Sequence, residues 1–486
     1  MTVRTRFAPS PTGFMHVGNL RTALYAYLLA KSNNGVFVLR IEDTDQARYV
    51  EGATQVIYNT LKTAGLIHDE GPDKDGGYGP YIQSQRKPLY RKYAEQLVGQ
   101  GAAYYSFETG ARPAAADAAA GDSAQTTGED DGLEPDFDLE SAKKKIASGV
   151  PHVIRQKIDK SGVSTFTDSV FGEITIENKV LDDQILLKSD GMPTYNFANV
   201  IDDHLMGITH VVRGAEYLPS TPKYNLLYRA FGWDIPVYVH LPLIMGKNPD
   251  GTVAKLSKRH GSVSFENLVS EGYLPAAIIN YIALLGWSPK NDREIFSLDE
   301  LVASFSVSGL NKAPAVFDYD KLAWMNGEYV KLLPFDEFVR LAEPFARLAG
   351  TPLAGKWELI AKLLHQRTGV LSEIPEKIHF LLELPEYDNE LFFNKKCKSS
   401  PEFAAEMLPE VLEILKKVEP WSSEALNAAI SAYAAERNMK LNLATWAPRI
   451  AVAGQSVTPG GAFELMEILG RDESLRRIGI AIEKLK

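Results

Sequence analysis

Apolar and polar positions alternate in short blocks over the first half of the chain and turn to a helical period over the second. RTRFA alternates as a short strand does, PSPTG is a Pro/Gly loop, HVGNLRTALYAYLLAK has helical spacing, and VFVLRIED reads as a second strand. Leu20, Ala23, Leu24, Tyr27 and Leu28 give the helix one apolar face, and Asn34-Gly35 supplies its stop. Strand, helix and strand in this order predict a parallel, doubly wound sheet, in which ligands sit beyond the carboxyl ends of the strands. Further on, HVIRQKI, TFTDSVFGEITI and VLDDQILLKS alternate between turn signals, as expected of an antiparallel region inserted into the α/β domain. The parallel pattern returns with HVVRGAEY, a helix through YNLLYRAFG, and the strand VYVHLPLIM.

From about residue 331 the period is helical, as in WELIAKLLHQRTGVL, FAAEMLPEVLEILKKV and ALNAAISAYAAERN. No internal repeat suggests a solenoid. Residues 109 to 135 contain almost no large apolar side chain and end in a run of acids, which predicts a mobile surface insert.

Composition narrows the class. A chain of 486 residues, 45% hydrophobic and 23% charged, is long enough for about three domains. The single cysteine, Cys397, excludes an intramolecular disulfide and any Cys-rich zinc site, and suits the cytoplasm. The start MTVRTRFAPSPTG has no apolar segment of the signal-peptide kind, and no run of about 18 apolar residues follows, so neither secretion nor a membrane span is expected. Lys plus Arg total 52 against 62 for Asp plus Glu, a net charge of −10 that by itself weighs against a nucleic-acid partner. A polynucleotide is gripped by one positive face, however, and the opposite face is free to be acidic.

Two segments carry chemistry. In RFAPSPTGFMHVGN a strand feeds a pinned turn, and His16, Gly18 and Asn19 fall in the first turn of the following helix, where free N–H groups and the helix dipole favour phosphate. A lone histidine at a helix start is more often structural. In KLSKR the cations Lys255, Lys258 and Arg259, with Ser257, form a short loop able to clamp a phosphoryl group. Such a run alone is usually a solvated surface loop. Together, an H-x-G helix start and a K-x-S-K loop after the last parallel strand form the ATP-binding signature of class I aminoacyl-tRNA synthetases.

With RIEDTD, GPYIQSQR, LLKSDGMPTYNFANVIDDHLMGITHVVRGAEYL, FDYDKLAWMNGEY and WAPRIAVAGQSVTPGGAFELMEILG in the same order and spacing, the chain resembles the bacterial glutamyl-tRNA synthetase family over nearly its whole length. The resemblance implies a multidomain α/β plus all-α protein: a Rossmann-type catalytic domain at 1–80 and 197–255, an inserted α+β domain for the tRNA acceptor end at 81–196, a KLSKR and stem-contact region at 256–330, and a helical anticodon-binding module at 331–486. It implies ATP and Mg²⁺, with tRNA(Glu) and L-glutamate as partners, and a monomer is expected; the single cysteine and the lack of a long apolar run add the expectations of no zinc and no membrane. His16 and Lys258 are the expected catalytic residues, and with Gly18, Asn19, Lys255, Ser257 and Arg259 they hold ATP. Arg6, Tyr195 and Arg213 are expected at the glutamate side-chain carboxylate, and Ala8, Ser10, Glu42 and Asn199 around its α-amino and α-carboxylate groups. Arg367, Trp446 and Arg449 are the implied anticodon contacts.

Two departures stand out: Pro448 precedes Arg449 where the family often reads Leu, and one cysteine cannot build the zinc site some members carry. Two alternatives remain at this stage. A glutaminyl-tRNA synthetase shares both ATP motifs but carries β-barrels where this chain is helical, and a non-catalytic tRNA-binding paralogue has no need of intact HVGN and KLSKR.

Overall fold

The computed structural model describes residues 2–45, 50–108, 133–248, 250–257, 260–261 and 263–486. It packs as two compact units, one of residues up to 269 together with 275–319, the other of 270–274 together with 320–486. The second unit begins ahead of residue 331, where the sequence suggests a helical module, because the helix Tyr319–Leu332 is continuous across that point.

In the first unit, β1 (Arg4–Phe7) and β2 (Val36–Leu39) pair in parallel, with α1 (Val17–Ser32) as the crossover. α1 stops where expected: Asn34 takes a φ of 51°, and a Cβ on Gly35 would lie 2.1 Å from the Val3 carbonyl oxygen, which only glycine avoids. The single apolar face expected of α1 is corrected. Val17, Tyr25 and Leu29 are buried as well, because the helices Pro275–Leu284 and Leu298–Ser304 also pack against it, and the Tyr25 hydroxyl reaches the Ala283 and Leu285 carbonyls at 3.0 Å.

Between β2 and the return of the parallel pattern lie β3 (Ala103–Glu108), β4 (Leu133–Asp136), β5 (His152–Gln156), β6 (Val163–Asp168), β7 (Gly172–Glu177) and β8 (Ile185–Leu187). Four of them form an antiparallel sheet in the order β4-β3-β5-β8. Most of the predicted insert, residues 109–132, lies outside the described residues. Its last residues are ordered, because β4 pairs with β3 and Asp136 takes an ion pair from Lys145 at 2.8 Å and a hydrogen bond from Ser141 at 2.8 Å.

The parallel sheet resumes with β9 (His210–Gly214) and β10 (Val237–Leu241). Thr209 N–H donates to the Arg4 carbonyl at 3.0 Å, which lays β9 beside β1 on the side away from β2. The winding therefore reverses between β1 and β9, the switch point beyond whose strand ends sheets of this kind place a ligand. The hairpin β6–β7 goes elsewhere than its sequence position suggests: β6 pairs in parallel with β10, Asp168 opposite Tyr238, and extends the catalytic sheet. Phe166 on β6 packs in one core with Val38, Met206, Val211 and Tyr238. The border suggested between residues 196 and 197 falls inside the helix Tyr195–Leu205, whose Phe197, Ala198 and Ile201 share a core with Leu186, Tyr90 and Leu227. Three short strands, β11 (Ile244–Lys247), β12 (Val253–Lys255) and β13 (Ala315–Phe317), complete the unit.

The second unit is helical. Its last helix, Arg471–Leu485, is pinned by Arg477, which is fully buried and donates to the carbonyls of Phe380 at 2.6 Å, Val452 at 2.8 Å and Leu381 at 3.1 Å. Among the described residues no helix is long and apolar enough to cross a membrane.

Candidate active site

The first motif is tied through the backbone to the segment just after the second. Val17 N–H donates to the Val263 carbonyl at 2.8 Å, Phe265 N–H donates to the Met15 carbonyl at 3.0 Å, and His16 bridges Ser264. The segment 263–265 follows KLSKR in sequence, and Lys255 of that motif lies near enough to His16 for its charge to be felt there. Lys258 and Arg259 themselves lie outside the described residues. Lys255 ends β12, Leu256 N–H is held by the Ile244 carbonyl at 3.0 Å, and Ser257 N–H donates to His260 Nδ1 at 3.1 Å.

His16 caps α1: its Nδ1 accepts from Gly18 N–H at 3.0 Å. A Cβ on Gly18 would approach that nitrogen to 3.2 Å, so the glycine keeps the cap uncrowded. With Nδ1 accepting, the ring proton of the neutral form sits on Nε2. Burial first, and the Lys255 cation second, hold the imidazole below its ordinary pKa. His16 is therefore a neutral donor at physiological pH. The supply of free N–H groups expected at the helix start is smaller than the sequence suggests, since Val17 and Gly18 already have acceptors. Asn19 is exposed beside them.

A second group of predicted residues gathers at the carboxyl ends of β1 and β9. Ala8 and Ser10 lie in the loop after β1, alongside residues 40–42, with Glu42 N–H donating to the Pro9 carbonyl at 3.0 Å. Arg6 and Glu42 do not pair with one another. Arg6 Nε donates to Asp203 at 3.1 Å, and Glu42 is held by Arg40 at 2.9 Å. Arg40 also reaches Asp203 at 2.7 Å and lies 3.9 Å from Asp202, which Arg86 holds at 2.7 Å, so three cations and three anions share a dry network. Burial alone would raise the Asp203 carboxyl, but Arg6 and Arg40 outweigh it and hold it below the usual range. For Glu42 burial wins against the same two arginines and pushes its pKa up to about 7.

Tyr195 stands among these groups. Burial, with Tyr217 and Glu42 nearby, drives its hydroxyl pKa far up, and its ring lies 5.5 Å from that of Tyr217. Asn199 donates one turn back to the Tyr195 carbonyl at 2.9 Å. Arg213 is 4% exposed, and no carboxylate among the described residues pairs with it. Its Nε donates to His240 Nε2 at 3.0 Å and its Nη2 to Thr221 Oγ1 at 2.9 Å, and its guanidinium lies 4.5 Å from the Tyr224 ring centre.

Sequence reasoning missed Arg40, Asp202, Asp203, Asp168 and His240. The adjacent acids Asp202 and Asp203 inside the apolar run NVIDDHL were the available signal, because two carboxylates in a buried helix require cationic partners. In the second unit, Arg367 donates to the Pro459 carbonyl and Arg449 to the Ser456 carbonyl at 3.0 Å, so both hold the loop 456–460. The Arg449 guanidinium lies 4.5 Å from the Trp446 ring centre, and Trp446 Nε1 donates to the Leu391 carbonyl at 3.2 Å. Among the described residues no group of three or more His, Cys, Asp or Glu could hold a metal ion.

Residues 2–324 match the catalytic-domain model of class I tRNA synthetases for E and Q, and residues 337–482 match an anticodon-binding domain. A glutamate-tRNA ligase of Clostridium tetani is 51% identical, covering 100% of this chain and 98% of that protein. One from Clostridium botulinum is 53% identical, covering 100% and 99%. The crystal structure of a glutamate tRNA ligase from Elizabethkingia meningosepticum, in complex with its amino acid, superposes with a TM-score of 0.85 at 35% identity over 100% of both chains.

Proposed function

The chain belongs to the class I glutamyl-tRNA synthetase family, and on that premise we propose how its residues divide the work of making glutamyl-tRNA. It acts as a glutamate-tRNA ligase: it activates L-glutamate with ATP and passes the glutamyl group to tRNA. In the first step the α-carboxylate attacks the α-phosphorus of ATP and pyrophosphate leaves. No protein nucleophile is required, so catalysis rests on alignment and on donors placed where charge develops.

We assign the α1 turn and the KLSKR loop to ATP. His16 offers Nε2–H as a neutral donor to a phosphate oxygen, Gly18 and Asn19 line the turn, and Lys255, Ser257, Lys258 and Arg259 supply the facing donors. The backbone ladder between 15–17 and 263–265 supports this assignment, because it brings the two segments to one place. No cluster of protein ligands is present for Mg²⁺ among the described residues, so the ion would be held through the triphosphate oxygens and water, where it would neutralise phosphate charge. Replacing Lys258 by Ala is expected to lower the rate of adenylate formation by roughly 10² to 10³. Single-turnover rates equal to the parent would remove Lys258 from the mechanism.

Glutamate is assigned to the switch point between β1 and β9. The observation that carries this reading is Arg213: a buried cation without a carboxylate partner is costly in an empty protein, and an anionic ligand supplies what is missing. Arg6 and Tyr195 complete the side-chain end, while Glu42, with Ala8, Ser10 and Asn199, receives the α-ammonium and α-carboxylate. Arg213→Ala is expected to raise the glutamate KM by about a hundredfold, the effect of losing charged hydrogen bonds, with the ATP KM nearly unchanged. An equal rise for both substrates would point to general damage.

In the second step the terminal adenosine hydroxyl of tRNA attacks the acyl carbon of the mixed anhydride, the ester forms and AMP leaves. We propose that the region 81–196 holds that acceptor end, that 256–330 contacts the stem, and that the helical unit reads the anticodon with Arg367, Trp446 and Arg449 near the loop 456–460. We further propose a cytoplasmic monomer charging tRNA(Glu), which light scattering and aminoacylation of purified tRNA test directly.

A further inference from the structure

One buried chain of hydrogen bonds lies behind Arg213 and is not used by the mechanism above. Asp168 on β6, His240 on β10 and Arg213 on β9 occupy three neighbouring strands of one sheet, and register sets His240 opposite Arg213. The Asp168 carboxylate takes His240 Nδ1 at 2.7 Å and His240 N–H at 3.1 Å through Oδ2. Its Oδ1 takes Val170 N–H at 2.9 Å and Phe171 N–H at 2.8 Å in the hairpin turn. His240 Nε2 then accepts from Arg213 Nε at 3.0 Å. Asp168 and His240 are 2% and 0% exposed, so water cannot substitute for any of these partners.

An arginine only donates, so the nitrogen facing Arg213 must be bare, and the ring proton must be on Nδ1, where only an acceptor can meet it. We infer that Asp168 and His240 are positioning residues for substrate recognition: the carboxylate locks the imidazole in the Nδ1–H tautomer, and the bare Nε2 aims the Arg213 guanidinium at the side-chain carboxylate of glutamate. The inference rests on the reading that Arg213 binds glutamate. Thr221 Oγ1 fixes the guanidinium a second time through Nη2, and Tyr224, Tyr217 and Tyr238 wall it in. The charged and titratable groups facing His240 are Asp168, Arg213, Arg6 and Tyr238. Burial first, opposed by Asp168 and aided by Arg213 and Arg6, keeps the imidazole pKa down at about 4, so it stays neutral across the working pH range.

The turn makes the test selective. In Asp168→Asn the two backbone N–H donors at Oδ1 outnumber the one at Oδ2 and hold the amide oxygen at the turn, so the amide NH₂ faces the His240 backbone N–H and ring and forces the opposite tautomer. Nε2–H then confronts Arg213 Nε–H, donor against donor. Asp168→Asn and His240→Leu are expected to raise the glutamate KM roughly ten- to a hundredfold, the loss of one hydrogen bond to a charged group, with the ATP KM within about twofold of the parent. Unchanged glutamate KM values, or parallel rises for glutamate and ATP, would overturn the inference. If Arg213→Ala is selective for glutamate while these two variants are not, the inference fails and the glutamate reading stands; if Arg213→Ala is not selective either, both fail. A measurement on the unaltered enzyme covers the case in which the variants do not fold. Nitrogen-15 NMR of histidine-labelled protein is expected to show one imidazole with protonated Nδ1 and bare Nε2 that stays neutral to about pH 5, and its absence would refute the proposed tautomer.

Discussion

Glu42 is 3% exposed, and burial lifts its carboxyl to about 7 in spite of Arg40 and Arg6 beside it. A carboxyl poised there is only partly ionised at neutral pH, and the α-ammonium of the substrate favours the charged form. The glutamate KM should therefore rise as pH falls through about 7, while Glu42→Gln should show a high KM that is flat with pH; a pH-dependent KM in that variant would remove Glu42 from the role. The stability sign follows from the same shift. A group whose folded pKa exceeds its unfolded value, near 4.3 for Glu, favours folding fully below that value, and the advantage is lost as pH rises through about 7. Residue by residue, the sequence was informative where a motif names its chemistry. His16, Lys255 and Arg213 could be singled out from their segments, whereas the neutral state of His16 could not, because it depends on burial and on a cation more than 200 positions away. Asp168 and His240 were invisible for a related reason: each lies in an ordinary alternating strand, and only sheet order brings them together.

At the scale of elements, periodicity located β1, α1, β2, β9 and β10, because each pattern is set by its own burial. It could not assign the hairpin β6–β7 to a sheet. Alternation says that a strand has a wet face and a dry face, and nothing about which edge will pair with it. The same limit applies to α1, whose second buried side is imposed by helices some 260 residues further on. In the helical unit, Arg477 is the element-scale anchor, since its guanidinium satisfies three carbonyls and an ion pair to Glu473 at 2.6 Å. Arg477→Ala strands those carbonyls away from water, and thermal or urea unfolding should report a loss of about 3 kcal/mol or more. A loss below about 0.5 kcal/mol would mean that the helix Arg471–Leu485 is held by its apolar contacts alone.

On the scale of the whole molecule, two units with separate cores should unfold in two steps. Calorimetry is expected to resolve two transitions, of which Arg477→Ala lowers only one; a single transition moved as a whole would show that the units melt together. The acidic total of −10 makes a second prediction. Binding of tRNA must come from local cations displacing counterions, so the logarithm of affinity should fall linearly with the logarithm of salt concentration, with a slope of several units. A salt-independent affinity would place the contacts elsewhere than on phosphates.

The short ladder at 15–17 and 263–265 has a topological consequence. The chain departs at Val17 and comes back at Val263, so most of the first unit lies in a loop closed by this clasp, and the clasp adjoins the proposed nucleotide site. A triphosphate seated there bonds to both sides of the fastening at once. ATP would then act as a staple on the polypeptide as well as a reactant, and the enzyme would resist unfolding most firmly while it is loaded for work.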